Sequence, residues 1–292
     1  MGYRHDIIRP GRGNRWFSAQ RSQHLSRDPP SGTKERAFLM SLNQLAQQLH
    51  RSSHVLVFTG AGISTGSGIP DFRGPSGLWT KWEPVYYHDF MTSHDARVRH
   101  WEFKLHGWQG FHDAQPNAAH QALSELDRIG FLQALITQNI DGLHQLSGHP
   151  QGRVIELHGS NRFVECQSCK TLTDPDSAFA EFQRSLQPPL CACGGYLKPA
   201  TVSFGQSMPE DKMAEAVETA QRSDLVIATG STLEVEPAAS IPRLARERGA
   251  FYAILNRGPT AQDELASLRL EGDATRLLPQ LVSQLREILA LV

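Results

Sequence analysis

Val55-Leu56-Val57-Phe58-Thr59-Gly60-Ala61-Gly62-Ile63-Ser64 is a short apolar run that stops abruptly in small and polar residues. Bulky side chains with no polar alternation read as a strand buried on both faces, the kind found in a parallel sheet covered by helices. The glycines that follow let backbone N–H groups approach a phosphate, and a helix expected to begin after Ser64 would add the positive end of its dipole. A glycine pair alone is weak evidence, and a plain structural turn reads equally well.

Three more runs of the same kind lie downstream: Leu132-Gln133-Ala134-Leu135-Ile136, Leu225-Val226-Ile227-Ala228 and Phe251-Tyr252-Ala253-Ile254-Leu255. Each is bordered by helix-like stretches, so the fold class is α/β with a Rossmann-like parallel sheet. Ligands of such sheets bind beyond the carboxyl ends of the strands. Those ends read Gly60 to Ser64, Thr137-Gln138-Asn139-Ile140-Asp141, Thr229-Gly230-Ser231-Thr232 and Asn256, offering glycines, hydroxyls and amides to one crevice. A dinucleotide is the expected ligand. Hydride transfer fits less well, because the third glycine of Gly-x-Gly-x-x-Gly is displaced to Gly66 and Gly68 and the Thr80-Lys81 region has no carboxylate before Glu83.

Phe38, Leu39, Leu42, Leu45, Ala46 and Leu49 recur at helical spacing ahead of the first strand, and Leu277 to Leu289 carry a second apolar helical face. Residues 1–36 are Arg-rich among Gly, Ser and Pro and read as a disordered extension, or as a mitochondrial transit peptide. A cytoplasmic location is expected, mitochondrial on that second reading. A formal net charge of -1 gives no reason to expect specific nucleic-acid binding, and no long apolar run suggests a membrane partner. The four cysteines, Cys166, Cys169, Cys191 and Cys193, fall in one short segment. Cys-x-x-Cys followed by a Cys-x-Cys pair has the spacing of a four-thiolate zinc site, with Gly194-Gly195 leaving the backbone free to turn both sulfurs inward. A redox dithiol is the other reading. The expected organisation is a Rossmann-like domain over 37–160 and 202–292, a helical insert near 75–115, and a zinc-binding module over 161–201.

Gly60 through Arg73, with Gly77-Leu78-Trp79 beyond it, resembles the first signature of the sirtuin (Sir2) family. Thr137 to His144 resembles the second and Glu156-Leu157-His158-Gly159 the third, followed by the cysteine pairs, Val202-Ser203-Phe204-Gly205, Gly230-Ser231-Thr232-Leu233 and Asn256. The resemblance implies an NAD-consuming protein-lysine deacylase that releases nicotinamide, O-acyl-ADP-ribose and free lysine, with NAD and Zn2+ as bound groups and acylated-lysine proteins as partners. It implies phosphate contacts over Gly60, Ala61, Gly62 and Ser64, and ribose contacts from Gln138, Asn139, Gly230, Ser231 and Asn256. Ile69, Asp71, Phe72 and Asp141 would line the nicotinamide pocket, and Arg73 would belong to a closing loop. Val202, Phe204, Gly205 and Leu233 would flank the acyl-lysine tunnel, and His158 and Asn139 would be catalytic. An imidazole can take a ribose hydroxyl proton near neutral pH, which most carboxylates are too weakly basic to do. Taken alone, Asp71 reads as well as a turn cap, and His158 as a surface histidine.

Sirtuins that take succinyl or malonyl groups carry a Tyr and an Arg in the helical segment, where alignment on Trp101-Glu102-Phe103 puts Lys104 and Gly107. A lone lysine is a poor substitute for a bidentate guanidinium, so neutral acyl groups are expected. Arg97, Trp101, Gly107-Trp108 and Gln115 to His120 look closer to class II sirtuins, and Gln206 stands where the family usually has glutamate. Mono-ADP-ribosyl transfer on the same scaffold is the second reading; a non-catalytic NAD or zinc-mediated binding module is the third. The oligomeric state is not legible.

Overall fold

Successive side chains of a strand point to opposite faces, and this chain uses that alternation to fill two cores at once. The computed structural model describes residues 31–74, 77–150 and 152–291. α1 (Ser31–Arg51) leads into β1 (Val55–Thr59), after which Ala61–Ser67 wind into a 3-10 helix. α2 (Tyr87–Thr92), α3 (His94–Asp113) and α4 (Ala118–Arg128) precede β2 (Ala134–Thr137), α5 (Leu143–Leu146) and β3 (Val154–Glu156). β4 (Gly159–Cys166), β5 (Leu172–Thr173), α6 (Pro175–Ser185) and β6 (Leu197–Thr201) form the insert. α7 (Glu210–Arg222), β7 (Leu225–Thr229), α8 (Ser240–Glu247), β8 (Phe251–Asn256), β9 (Leu268–Glu271) and α9 (Ala274–Ala290) follow.

Six strands pair in the order β3-β2-β1-β7-β8-β9, every pair parallel. The order reverses between β1 and β7, and a crevice opens at such a switch point because the two loops leave in opposite directions. Val55, Val57, Leu225, Ile227, Ala253 and Leu255 pack with α1, α4 and α9, while Leu56, Phe58, Val226, Ala228 and Ile254 pack with α7 and α8. Among the described residues no helix is long and apolar enough to cross a membrane.

β5, β4 and β6 make a separate antiparallel sheet. Its core is shared with the helical insert: Phe90 of α2 and Trp101 of α3 pack with Val164, Cys166, Phe179, Phe182 and Leu197. Trp101 is fully buried and its indole N–H donates to the Leu197 carbonyl at 3.2 Å. Trp101→Ala removes both ring and hydrogen bond and is expected to cost about 3–5 kcal/mol, read as a lower denaturant midpoint.

Several expectations need correction. Helix α1 begins at Ser31, inside the expected 1–36 extension; residues 1–30, where the rest of that extension and the transit-peptide reading fall, lie outside the described residues. No α-helix begins after Ser64, because Gly66, Gly68 in a left-handed conformation and Pro70 stop the 3-10 turn before it can extend. Leu39 is exposed rather than part of the α1 core face. The small sheet starts at Gly159, before the expected boundary at 161, and the helices of the 75–115 region belong to its core.

Candidate active site

The loops after β1, β2, β7 and β8 converge on a cavity of about 610 Å³, within the range typical of ligand sites. Gly60, Ala61, Gly62, Asp71, Phe72, Arg73, Gln138, Asn139, His158, Val202, Phe204, Gly205, Gly230, Ser231 and Asn256 all line it, which brings together most of the residues singled out in the sequence. Ser64, Ile69, Asp141 and Leu233 do not.

The glycines also serve a structural purpose besides the one expected of them. Gly60 N–H donates to the Thr229 carbonyl at 3.1 Å and Gly62 N–H to the Gly230 carbonyl at 2.8 Å, so both amides are spent joining the β1 and β7 loops. A Cβ on Gly60 would stand 2.7 Å from the Gly230 oxygen, and one on Gly230 would stand 2.4 Å from the Ile63 nitrogen. Close backbone crossing therefore explains the glycines, and Gly230 has φ +65° as well. Gly230→Ala is expected to misplace the β1 loop, with NAD affinity in a calorimetric titration falling at least tenfold; unchanged affinity would show that the crossing relaxes freely.

Behind the cavity wall, Ser64 Oγ donates to Asp141 Oδ2 at 2.7 Å and accepts from Asn139 Nδ2 at 3.1 Å, while Asp141 Oδ1 accepts from the Leu143 N–H at 2.9 Å. The Ser64 hydroxyl is thus engaged within the protein rather than presented to a phosphate. Asp141 faces this network instead of the cavity, and burial raises its pKa against the opposing hydrogen bonds from Leu143 and Ser64. Ile69 is buried with Ala114 and Leu143, and Leu233 is drawn into the core by a turn at φ +58° closed by its N–H on Ser231 Oγ. Asp71 caps a turn through Gly74 N–H at 2.8 Å, as its reading as a turn cap expects, and it also lines the cavity.

His158 sits in the turn between β3 and β4, its Nδ1 3.0 Å from the Gln138 carbonyl. A carbonyl only accepts, so Nδ1 carries the proton and Nε2 keeps its lone pair. Burial lowers the His158 pKa, the Gln138 carbonyl opposes this, and Arg73 lowers it further. The neutral imidazole is the basic form, so if it acts as a base the acid limb of the pH–rate profile should lie below about 6.5, the unperturbed value. A limb above pH 7 in kcat/KM would contradict this.

Sequence reading named Phe72, Phe204 and Lys104 but missed that Trp79 and Phe103 close one aromatic wall with the two phenylalanines and that His100 lies beside it. Trp79 lies 5.3 Å from Phe72, 5.5 Å from Phe103 and 5.9 Å from Phe204, ring centre to ring centre. His100 and Lys104 of α3 also line the cavity. Below the β1 and β2 ends, Thr59 Oγ1 bonds Thr137 Oγ1 at 2.8 Å and His144 Nε2 at 2.9 Å, and Thr137 Oγ1 accepts the Asn139 N–H at 3.0 Å. Rings of His120 and His144 stand 4.9 Å apart, and burial lowers both pKa values, that of His120 to about 4. The unfolded chain binds protons below about pH 6.5 that the folded chain refuses, so this pair contributes stability above that pH and loses it as pH falls toward 4. Melting temperature should fall over that window, and less so in His120→Gln.

The four cysteine sulfurs lie within 4.8 Å of one another, with Cys166–Cys193 at 3.5 Å and Cys169–Cys191 at 3.7 Å. A zinc tetrahedron with Zn–S bonds of about 2.3 Å has S–S edges of about 3.8 Å, so this donor set fits zinc.

Fold and site define a class: a parallel dinucleotide-type α/β domain whose crevice lies beside an inserted four-thiolate module. The Sir2 family model matches residues 60–237, and the chain belongs to that family. An NAD-dependent protein deacetylase of Rhodopseudomonas palustris is 46% identical over 233 residues, covering 80% of this chain and 92% of its own. One from Sulfurisphaera tokodaii is 41% identical over 247 residues, covering 85% and 97%. Among solved structures, a Sir2 variant with a deacetylated p53 peptide and 3'-O-acetyl ADP-ribose is 35% identical with a TM-score of 0.78, covering 84% of this chain and 98% of its own. A Sir2 complex with a p53 peptide and NAD+ has a TM-score of 0.74 at 35% identity, covering 85% and 98%.

Proposed function

We propose that the crevice performs NAD-dependent deacylation of protein lysines, with His158 as the base and with the loops after β1, β2, β7 and β8 holding the dinucleotide. The chain is an NAD-dependent protein deacetylase, the activity carried by the names of its relatives. Bound NAD supplies an ADP-ribose whose anomeric carbon accepts the acyl oxygen as nicotinamide leaves. His158 Nε2 takes the proton of a ribose hydroxyl, and its Nδ1–H stays on the Gln138 carbonyl, which fixes the ring through the transfer. Asn139 lines the cavity, its side-chain Nδ2 donating to Ser64 Oγ and its backbone N–H to Thr137 Oγ1. Gln138 donates to Ser231 at 2.9 Å, tying together two loops that would flank the ribose. Phe72 and Trp79 exclude water from the reacting carbon, and Val202, Phe204 and Gly205 receive the lysine stem and peptide backbone.

The observation that carries the assignment is the fixed tautomer of His158 at a wall of the cavity on which all four loops converge. Zinc would be held by Cys166, Cys169, Cys191 and Cys193, away from the reaction, as a structural ion. Reduced thiols in that set go with a cytoplasmic location, and the near-zero net charge offers nothing for nucleic acid. Incubation with NAD and an acetyl-lysine peptide should release nicotinamide, deacetylated peptide and O-acetyl-ADP-ribose in equal amounts, by mass spectrometry. ADP-ribosylated protein without O-acetyl-ADP-ribose would overturn the reading in favour of ADP-ribosyl transfer.

A further inference from the structure

We infer that Thr137, backed by Thr59, orients the His158 imidazole through the peptide plane that joins Gln138 to Asn139. This rests on the reading of His158 as the base and adds two positioning residues to it. A peptide unit is flat, with its C=O and N–H directed oppositely across the C–N bond, so fixing one fixes the other. The Gln138 carbonyl accepts from His158 Nδ1 at 3.0 Å, and the Asn139 N–H of the same plane donates to Thr137 Oγ1 at 3.0 Å. Among the described residues no other group takes that N–H. The tilt of the plane, and with it the direction of the imidazole, is therefore set by a threonine hydroxyl, in the place where a catalytic histidine commonly has a carboxylate to orient it.

That hydroxyl is itself held. Thr59 and Thr137 are register partners at the ends of β1 and β2, and both are buried. Thr59 gives its one hydroxyl proton to Thr137 Oγ1 at 2.8 Å, so in the 2.9 Å contact between Thr59 Oγ1 and His144 Nε2 the imidazole is the donor. Valine would fill the volume of either threonine, and burying a hydroxyl costs desolvation that packing alone does not offset. A polar row of imidazole, hydroxyl and hydroxyl, ending on one backbone N–H, fits a demand for direction at that peptide. Thr137 reaches the base by a second route. Its carbonyl accepts the N–H of Leu157, the residue before His158, at 2.9 Å. One residue thus places the backbone leading into the base and, through the next peptide, its ring. The Gln138 side chain stays on Ser231 at 2.9 Å independently of this row, so the loops that flank the dinucleotide do not depend on it.

The test measures NAD affinity, nicotinamide exchange and acetyl-peptide deacylation on Thr137→Val, Thr137→Ser and Thr59→Val. Valine keeps the shape and lacks the hydroxyl. Thr137→Val should lower the kcat of deacylation by about ten- to a hundredfold, the cost of a misaimed reacting group, while NAD affinity and exchange stay within about threefold. Thr137→Ser should recover most of that loss, and Thr59→Val should show a smaller loss of the same kind. Each valine is then combined with His158→Ala. With no imidazole left to aim, each double variant should match His158→Ala alone. Thr137→Val at the wild-type rate, or a loss of equal size with and without the His158 side chain, would overturn the proposal and leave the threonines as packing. If Thr137→Val does not fold, seen as lost near-ultraviolet circular dichroism, Thr59→Val carries the same cycle with the same two overturning results. Deacylation by His158→Ala at the wild-type rate would instead remove the reading of His158 as the base, and this inference with it.

Discussion

His158→Ala is expected to lower deacylation turnover by about a hundredfold to ten-thousandfold, the usual cost of losing a positioned proton acceptor, with NAD affinity nearly intact. Among the described residues the imidazole hydrogen-bonds the protein through the Gln138 carbonyl, and no other loop around the dinucleotide hangs from it by such a bond, so those loops should lose little when the ring is removed. The two chemical stages should separate. Release of nicotinamide needs the acyl oxygen as nucleophile and no base, whereas the following attack needs a deprotonated ribose hydroxyl. Nicotinamide exchange and peptide deacylation measured on the same variant should therefore diverge, exchange being the less affected. Deacylation near the wild-type rate would remove His158 from its role, and a collapse of NAD affinity would make it structural.

Loss of the metal should have an effect of comparable size on folding. A four-thiolate zinc contributes on the order of 10–16 kcal/mol, as much as the whole stability of an ordinary domain, about 5–15 kcal/mol. Cys166 is buried in the core that also holds Trp101 and Phe182, so its replacement by Ser injures the packing as well as the ligand set. Chelation, Cys166→Ser and Cys193→Ser should each melt the small sheet, detectable as lost near-ultraviolet circular dichroism, and abolish activity. Metal analysis should find about one zinc per chain. Full activity from metal-free protein would defeat the claim of a structural ion.

The central strands were legible because each is a contiguous apolar run cut off by small polar residues, and contiguity survives in one dimension. β3 and β9 were not. Val154–Glu156 offers two apolar residues and Leu268–Glu271 alternates with charge, patterns too short to separate from a loop. Residues carried by local motifs, such as Asn139 and His158, could be named in advance. What they bond to could not: the Ser64–Asp141 contact spans 77 positions and the Gln138–Ser231 contact 93. Lys104 could be named by alignment, whereas His100 escaped because α3 mixes polar and apolar residues around its circumference, leaving no periodicity to show which face meets the cavity.

The shared core of α2, α3 and the small sheet sets a rule for recombination between relatives. Residues 87–113 and 159–201 are two separate stretches of chain, yet Phe90 and Trp101 from the first share one core with Val164, Phe179, Phe182 and Leu197 from the second. A chimaera that imports the cysteine-bearing stretch alone would match a foreign surface to a resident aromatic plug. Donor and recipient therefore exchange cleanly only when both stretches travel together, as one heritable cassette written in two places.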